Sequence, residues 1–184
     1  QRSIINQDKE TGISIMKIEE GLDTGPYMKQ IKVEIDKQTT TKSLSKQLSE
    51  LAAQNIIECI SLIEKGEDKF FKQDHSMATY AKKIKKSESK IIWQQKATEI
   101  LSKINALNPS PGAWFEYKGS RYKIWKAEIS NLKGGPGEVL DDKLTFACKE
   151  NSLKVLEIQK EGKNKLSIDD FIVGTKIIKG TKII

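Results

Sequence analysis

The chain has 184 residues, with 32 Lys and Arg against 25 Asp and Glu, for a net charge of +7, and 37% of it is hydrophobic. No run approaches the ~20 apolar residues that crossing a bilayer requires, and a mean hydropathy of −0.51 suits a soluble chain of one or two domains. Cys59 and Cys148 stand at apolar positions outside any CxxC pattern, and the single His75 lies in a polar stretch, so neither a disulfide framework nor a metal centre is expected. The thiols read as buried and free in a reducing cytoplasm.

In chain order, Thr11 to Ile18 is a nearly continuous apolar run, the pattern of a strand covered on both faces. Ile31, Val33 and Ile35 alternate with charged residues, as in a half-exposed strand. Between them lies Gly21-Leu22-Asp23-Thr24-Gly25. Two glycines let the backbone turn sharply and a ligand come close. The plain reading of Asp23 is a turn residue whose side chain bonds its own backbone. The other reading is a carboxylate placed at the end of a strand to act on a bound molecule.

Leu44, Leu48, Leu51, Ile56, Cys59, Ile60 and Ile63 follow at helical spacing, with Thr39 to Thr41 at the start and Gly66 at the stop. Residues 73–90 turn polar and lysine-rich, which marks a linker between a first domain, 1–72, and a last one, 91–184. Trp93 to Leu107 predicts a second helix stopped by Asn108-Pro109. Short strands are then predicted over 113–117, 122–129, 137–140, 144–148 and 153–158. The apolar phase slips at Ile124/Trp125 and at Val155/Leu156, the sign of bulges that let a small sheet coil into an OB-like barrel. Its predicted core is Trp93, Leu101, Trp114, Trp125, Phe146, Leu156 and Phe171. Ser167-Ile168-Asp169-Asp170 carries a capping pattern for a terminal helix, and 174–184 holds a short tandem repeat.

Charge is unevenly spread. Residues 1–72 carry 11 basic and 12 acidic residues, and 73–184 carry 21 and 13, so the whole excess lies in the second part. That points to a polyanionic partner there, although a Lys- and Ile-rich composition throughout is also what a biased genome produces. Tyr117, Tyr122 and Trp125 sit among Lys118, Arg121, Lys123 and Lys126. Such interleaving makes either a stacking and phosphate-binding face or a strand with alternate residues facing core and water.

The string INQDKETGISIMKIEEGLDTGPYM (5–28), Ala78 to Ile84, Asn108-Pro109-Ser110-Pro111-Gly112-Ala113-Trp114 and GKNKLSIDDF (162–171) together closely resemble the methionyl-tRNA formyltransferase family. Ser110 stands where that family usually has Trp. The resemblance implies an α/β fold, the C-terminal portion of a Rossmann-like formyltransferase domain followed by an OB-like domain. It implies formyl transfer from 10-formyltetrahydrofolate to the amino group of methionyl initiator tRNA, by a cytoplasmic monomer without a metal. Asp23 matches one of three catalytic residues, and Glu19, Glu20, Gly21 and Leu22 match the stretch whose backbone meets the pterin ring. The other two, an Asn and a His in an N-V-H-G-S-L-L-P stretch, are not in this chain, which therefore reads as the back part of a longer enzyme, inactive alone. Lys82, Lys83, Lys85 and Lys86, with Lys118, Arg121 and Lys123, are the expected tRNA contacts. The alternatives are a non-catalytic basic RNA-binding module or a sugar-nucleotide formyltransferase relative.

Overall fold

The computed structural model describes residues 1–183. Helix α1 (Arg2–Ile5) precedes strands β1 (Glu10–Met16) and β2 (Tyr27–Glu34) and the long helix α2 (Thr41–Glu64). Two 3₁₀ turns (His75–Met77 and Lys86–Ser89) lead to α3 (Ala97–Ala106), then β3 (Ala113–Tyr117), β4 (Ser120–Ser130), β5 (Thr145–Ala147), β6 (Ser152–Lys160), β7 (Lys165–Ser167) and α4 (Ile168–Gly174). The fold is mixed α and β, and every named strand pair is antiparallel.

The chain forms two compact units that interleave in sequence. A hairpin–helix unit takes residues 8–36 and 42–82; a sheet unit takes 1–7, 37–41 and 83–184.

In the hairpin–helix unit β1 pairs with β2 alone. Burial along β1 alternates between exposed and half-buried, so the double coverage expected from its apolar run is not present. Helix α2 spans 24 residues and ends where left-handed Gly66 lets the Glu67 N–H donate to the Leu62 carbonyl at 2.9 Å. Ile56, Ile57, Ile60 and Ile63 remain 41–72% exposed along it.

In the sheet unit the strand order is β3-β4-β6-β5, with β7 on β6. Positive φ at Lys118 (48°) and Gly119 (71°) makes the two-residue turn that joins β3 to β4 and fixes Tyr117 opposite Ser120. From there Phe115 falls opposite Tyr122, both inward, and Trp114 opposite Lys123, both outward. Register shifts flank Lys126 in the β4–β6 pairing, where Trp125 and Leu156 stand outside the ladder, the two sites where the apolar phase slips. Trp93, Phe115, Tyr122, Phe146 and Phe171 form the aromatic centre, with Trp93 stacked on Phe146 at 4.5 Å and Tyr122 edge-on to Phe171 at 6.0 Å.

Several expectations need correction. Trp114, Trp125 and Leu156 are only half-buried, because the hairpin register turns the first outward and the bulges displace the other two. Residues 137–140 form no strand. Gly137 is left-handed (φ 85°) and the segment makes only isolated bridges, Val139 to Phe146 and Glu138 to Lys182. The second predicted helix begins at Ala97, where the Lys96 N–H donates to Glu99, leaving Trp93 ahead of it in the core. The terminal helix is capped as predicted, Ser167 Oγ accepting from the Asp170 N–H at 3.1 Å. In the tandem repeat Ile177 and Ile183 are buried, and the last residue, Ile184, lies outside the described residues. Cys59 and Cys148 are buried and free, and burial pushes the Cys148 thiol up to about 12.

Candidate functional site

The loop joining β1 to β2 owes its shape to close backbone contacts. The Lys17 N–H donates to the Pro26 carbonyl at 3.0 Å, and a Cβ on Gly25 would stand 2.0 Å from the Lys17 carbonyl oxygen, so only glycine fits there. The chain returns at Phe71, whose backbone exchanges two hydrogen bonds with Tyr27. Gln73 Nε2 then donates to the carbonyls of Asp23 and Gly25, each at 2.7 Å. Sequence reasoning passed over Gln73; its only signal is its place in the segment that the Tyr27–Phe71 bridge brings back to the loop.

Asp23 adopts a left-handed conformation (φ 54°), which Asp tolerates better than most residues. Its side chain is exposed, and among the described residues its carboxylate makes no hydrogen bond or ion pair. Leu22 and Asp23 are the central residues of a turn, to which the Asp23 side chain adds no bond of its own. Glu19, Glu20, Gly21 and Leu22 are exposed beside it, their backbone polar groups unused in the hydrogen bonds of the described residues. Leu22 is 87% exposed. His75 lies in an exposed 3₁₀ turn capped by Asp74.

The other predicted residues lie along 82–86 and in the sheet unit. Lys83, Lys85 and Lys86 run into the 3₁₀ turn, held where Glu88 accepts from the Lys85 N–H at 2.8 Å and from Arg2 at 2.7 and 3.0 Å. The Arg2 guanidinium draws the Glu88 carboxyl down to about 2. Lys118 occupies the hairpin tip, its Nζ 5.4 Å from the Tyr117 ring centre. Arg121 lies over Trp114 at 4.4 Å and Lys123 over Trp125 at 5.5 Å. Among the described residues the side chains of Lys83, Lys85, Lys86, Lys118, Arg121 and Lys123 form no salt bridge, whereas those of Lys96, Lys143, Lys154 and Lys165 do. Tyr122, a candidate for the stacking face, is buried in the core, and Trp114 takes that place.

The structure thus shows an exposed carboxylate on a braced hairpin loop and, in the other unit, a curled antiparallel sheet whose outer face carries cations. The profile of the formyl transferase family matches residues 1–60, and that of the formyl transferase C-terminal domain matches 83–176. The chain belongs to the formyl transferase family. It is 47% identical over its full length to a methionyl-tRNA formyltransferase of Pelagibacter ubique and 37% identical over 98% of its length to one of Bradyrhizobium diazoefficiens. It spans 59% and 60% of those relatives' lengths. Its fold resembles HypX of Aquifex aeolicus, solved in complex with tetrahydrofolic acid, with a TM-score of 0.70 over 93% of this chain and 31% of that one, at 19% identity. No helix among the described residues is long and apolar enough to cross a membrane.

Proposed function

We propose that the chain serves a cytoplasmic, monomeric enzyme that transfers the formyl group of 10-formyltetrahydrofolate to the amino group of methionyl initiator tRNA. Residues 1–72 are the C-terminal portion of a Rossmann-like catalytic domain, 73–90 a basic linker, and 91–184 an OB-like tRNA-binding domain. The observation that carries the reading is the Asp23 carboxylate, held unpartnered on a braced loop in a chain 47% identical throughout to a methionyl-tRNA formyltransferase.

The loop suits a folate. The unused backbone groups of Glu19 to Leu22 can bond a heteroaromatic edge, and Leu22 offers an apolar surface beside them. When bound, the folate supplies the formyl carbon that the methionyl amine attacks. Asp23 orients and charge-balances a histidine supplied from outside these 184 residues, so that the proton leaving the amine reaches the departing folate nitrogen. Gln73 fixes the loop backbone without occupying the carboxylate. The cations along 82–86 and on β4 hold the tRNA backbone, which positions the acceptor end without reading its sequence.

The test uses the gene's full-length product. Asp23→Asn is expected to lower formyl transfer to methionyl-tRNA by at least about 10²-fold, the scale of an acid–base group, with no change in melting temperature. A variant that turns over normally returns Asp23 to a turn residue. A wild-type product that formylates a nucleotide-linked amino sugar and not methionyl-tRNA overturns the substrate.

A further inference from the structure

The outer face of β3 and β4, together with the 3₁₀ turn at 86–89, encloses an open groove of about 600 Å³, a volume typical of a small-ligand site. Its floor is apolar. Gly112, left-handed at φ 83°, brings the backbone against the Trp125 ring, where a Cβ would stand 2.8 Å away. Trp114 lies beside it with its ring under Arg121. Three cations, Lys86, Arg121 and Lys123, line the groove with side chains that form no salt bridge among the described residues, and Glu161, which accepts from the Arg121 backbone N–H at 3.5 Å, is the one acidic lining residue. Ser89 also lines it, only 2% exposed, with a buried hydroxyl that has no hydrogen-bond partner.

We propose that this groove holds a single unpaired nucleotide of an RNA strand. Its phosphate meets Arg121, Lys123 and Lys86, and its base lies against the indole of Trp114. The Glu161 carboxylate accepts from the N–H groups of the base. The inference rests on the RNA-binding reading of the sheet unit and adds a place where an individual base is gripped. Indole stacking accepts any base, because every base has a π-face. The guanidinium seated on Trp114 is pre-organised for a phosphate. Bare phosphate would use the cations and leave the indole and the glycine floor without a purpose. A paired base keeps its faces inside the duplex stack and cannot lie on the ring.

The experiment uses the whole 184-residue chain and three probes: a labelled single-stranded RNA octanucleotide of mixed sequence, the same sequence as a blunt duplex, and inorganic polyphosphate. The wild-type chain is expected to hold the octanucleotide more tightly than the duplex. Trp114→Ala should weaken the octanucleotide about tenfold or more, the scale of removing one base stack, and weaken polyphosphate much less, since that ligand loses only the seat of Arg121. Trp114→Phe should restore most of the affinity, which a collapsed fold would not allow. Arg121→Gln, at an exposed position, should weaken both single-stranded RNA and polyphosphate. A Trp114→Ala loss equal for both anions, no loss at all, or a wild-type chain that ignores the octanucleotide overturns the nucleotide site. If that chain still binds whole tRNA with steep salt dependence, the RNA-binding reading survives; if it binds no tRNA, both fall.

Discussion

The isoleucines of α2 are at least as apolar as the aromatics of the sheet unit, yet Ile56, Ile57, Ile60 and Ile63 stand 41–72% exposed while Trp93, Phe115, Tyr122 and Phe146 are 0–3% exposed. The sheet unit covers its own core, because two bulges and a tight hairpin curl five strands around one cluster that α3 and α4 complete. The hairpin–helix unit has two strands and a helix, too few surfaces to enclose a core, and an apolar groove of about 330 Å³ lined by Ile15, Met28, Ile60 and Phe70 stays open in it. A helical stripe thus reports which residues seek cover and not whether the same chain provides it.

The largest effect expected falls on the closed side. Phe146→Ala empties the middle of the aromatic cluster and should cost about 3–5 kcal/mol, followed by denaturant titration of the intact chain. A loss under about 1 kcal/mol would mean that the cluster is not the unit's core. Next in size is the charge contrast. Changing Lys82, Lys83, Lys85 and Lys86 to Glu should weaken tRNA binding and flatten its log–log salt dependence by about 0.7–0.9 for each phosphate no longer neutralised. Equal slopes before and after would make the run a solvated face. A smaller effect comes from the Arg2–Glu88 pair. Because the folded Glu88 carboxyl titrates at about 2 against an ordinary 4.5, its contribution is present above 4.5 and lost as pH falls toward 2. The melting temperature of Glu88→Gln should therefore lie below wild type at neutral pH and converge with it in that acid window; a pH-independent gap would assign the loss to something other than charge. Smallest of all is Ile60→Ala, expected to stay within about 0.5 kcal/mol. A loss as large as that of Phe146→Ala would erase the contrast between the units.

Local signals carried much of the fold. The bulges at Trp125 and Leu156 are visible as slips in apolar phase, and the Ser167 cap follows from its spacing to Asp170. Long-range register was harder to read. Trp114 looks like core in a count of large apolar residues, but the Lys118-Gly119 turn fixes Tyr117 opposite Ser120 and so places Trp114 outside. Counting back from that turn would have found the groove's aromatic wall. The loop around Asp23 was legible from its two glycines, whereas its brace, Gln73, is fifty residues away in sequence and announced by no motif. Residues 137–140 misled because Val139 and Leu140 suggest a strand, while Gly137 and the pairing of Glu138 with Lys182 break it up.

The interleaving of the two units also bears on how such a chain could be recombined. Residues 1–7 and 37–41 belong with 83–184, so the polypeptide passes from one unit to the other at four places. A single crossover between two genes, wherever it fell between the codons of residues 1 and 82, would leave the sheet unit with pieces from both parents, and Arg2 could then meet a segment that lacks Glu88. Exchange of this unit as an intact cassette requires several coordinated junctions, so chimeras joined only at the lysine-rich stretch should inherit a mismatched α1 while keeping every strand of the sheet.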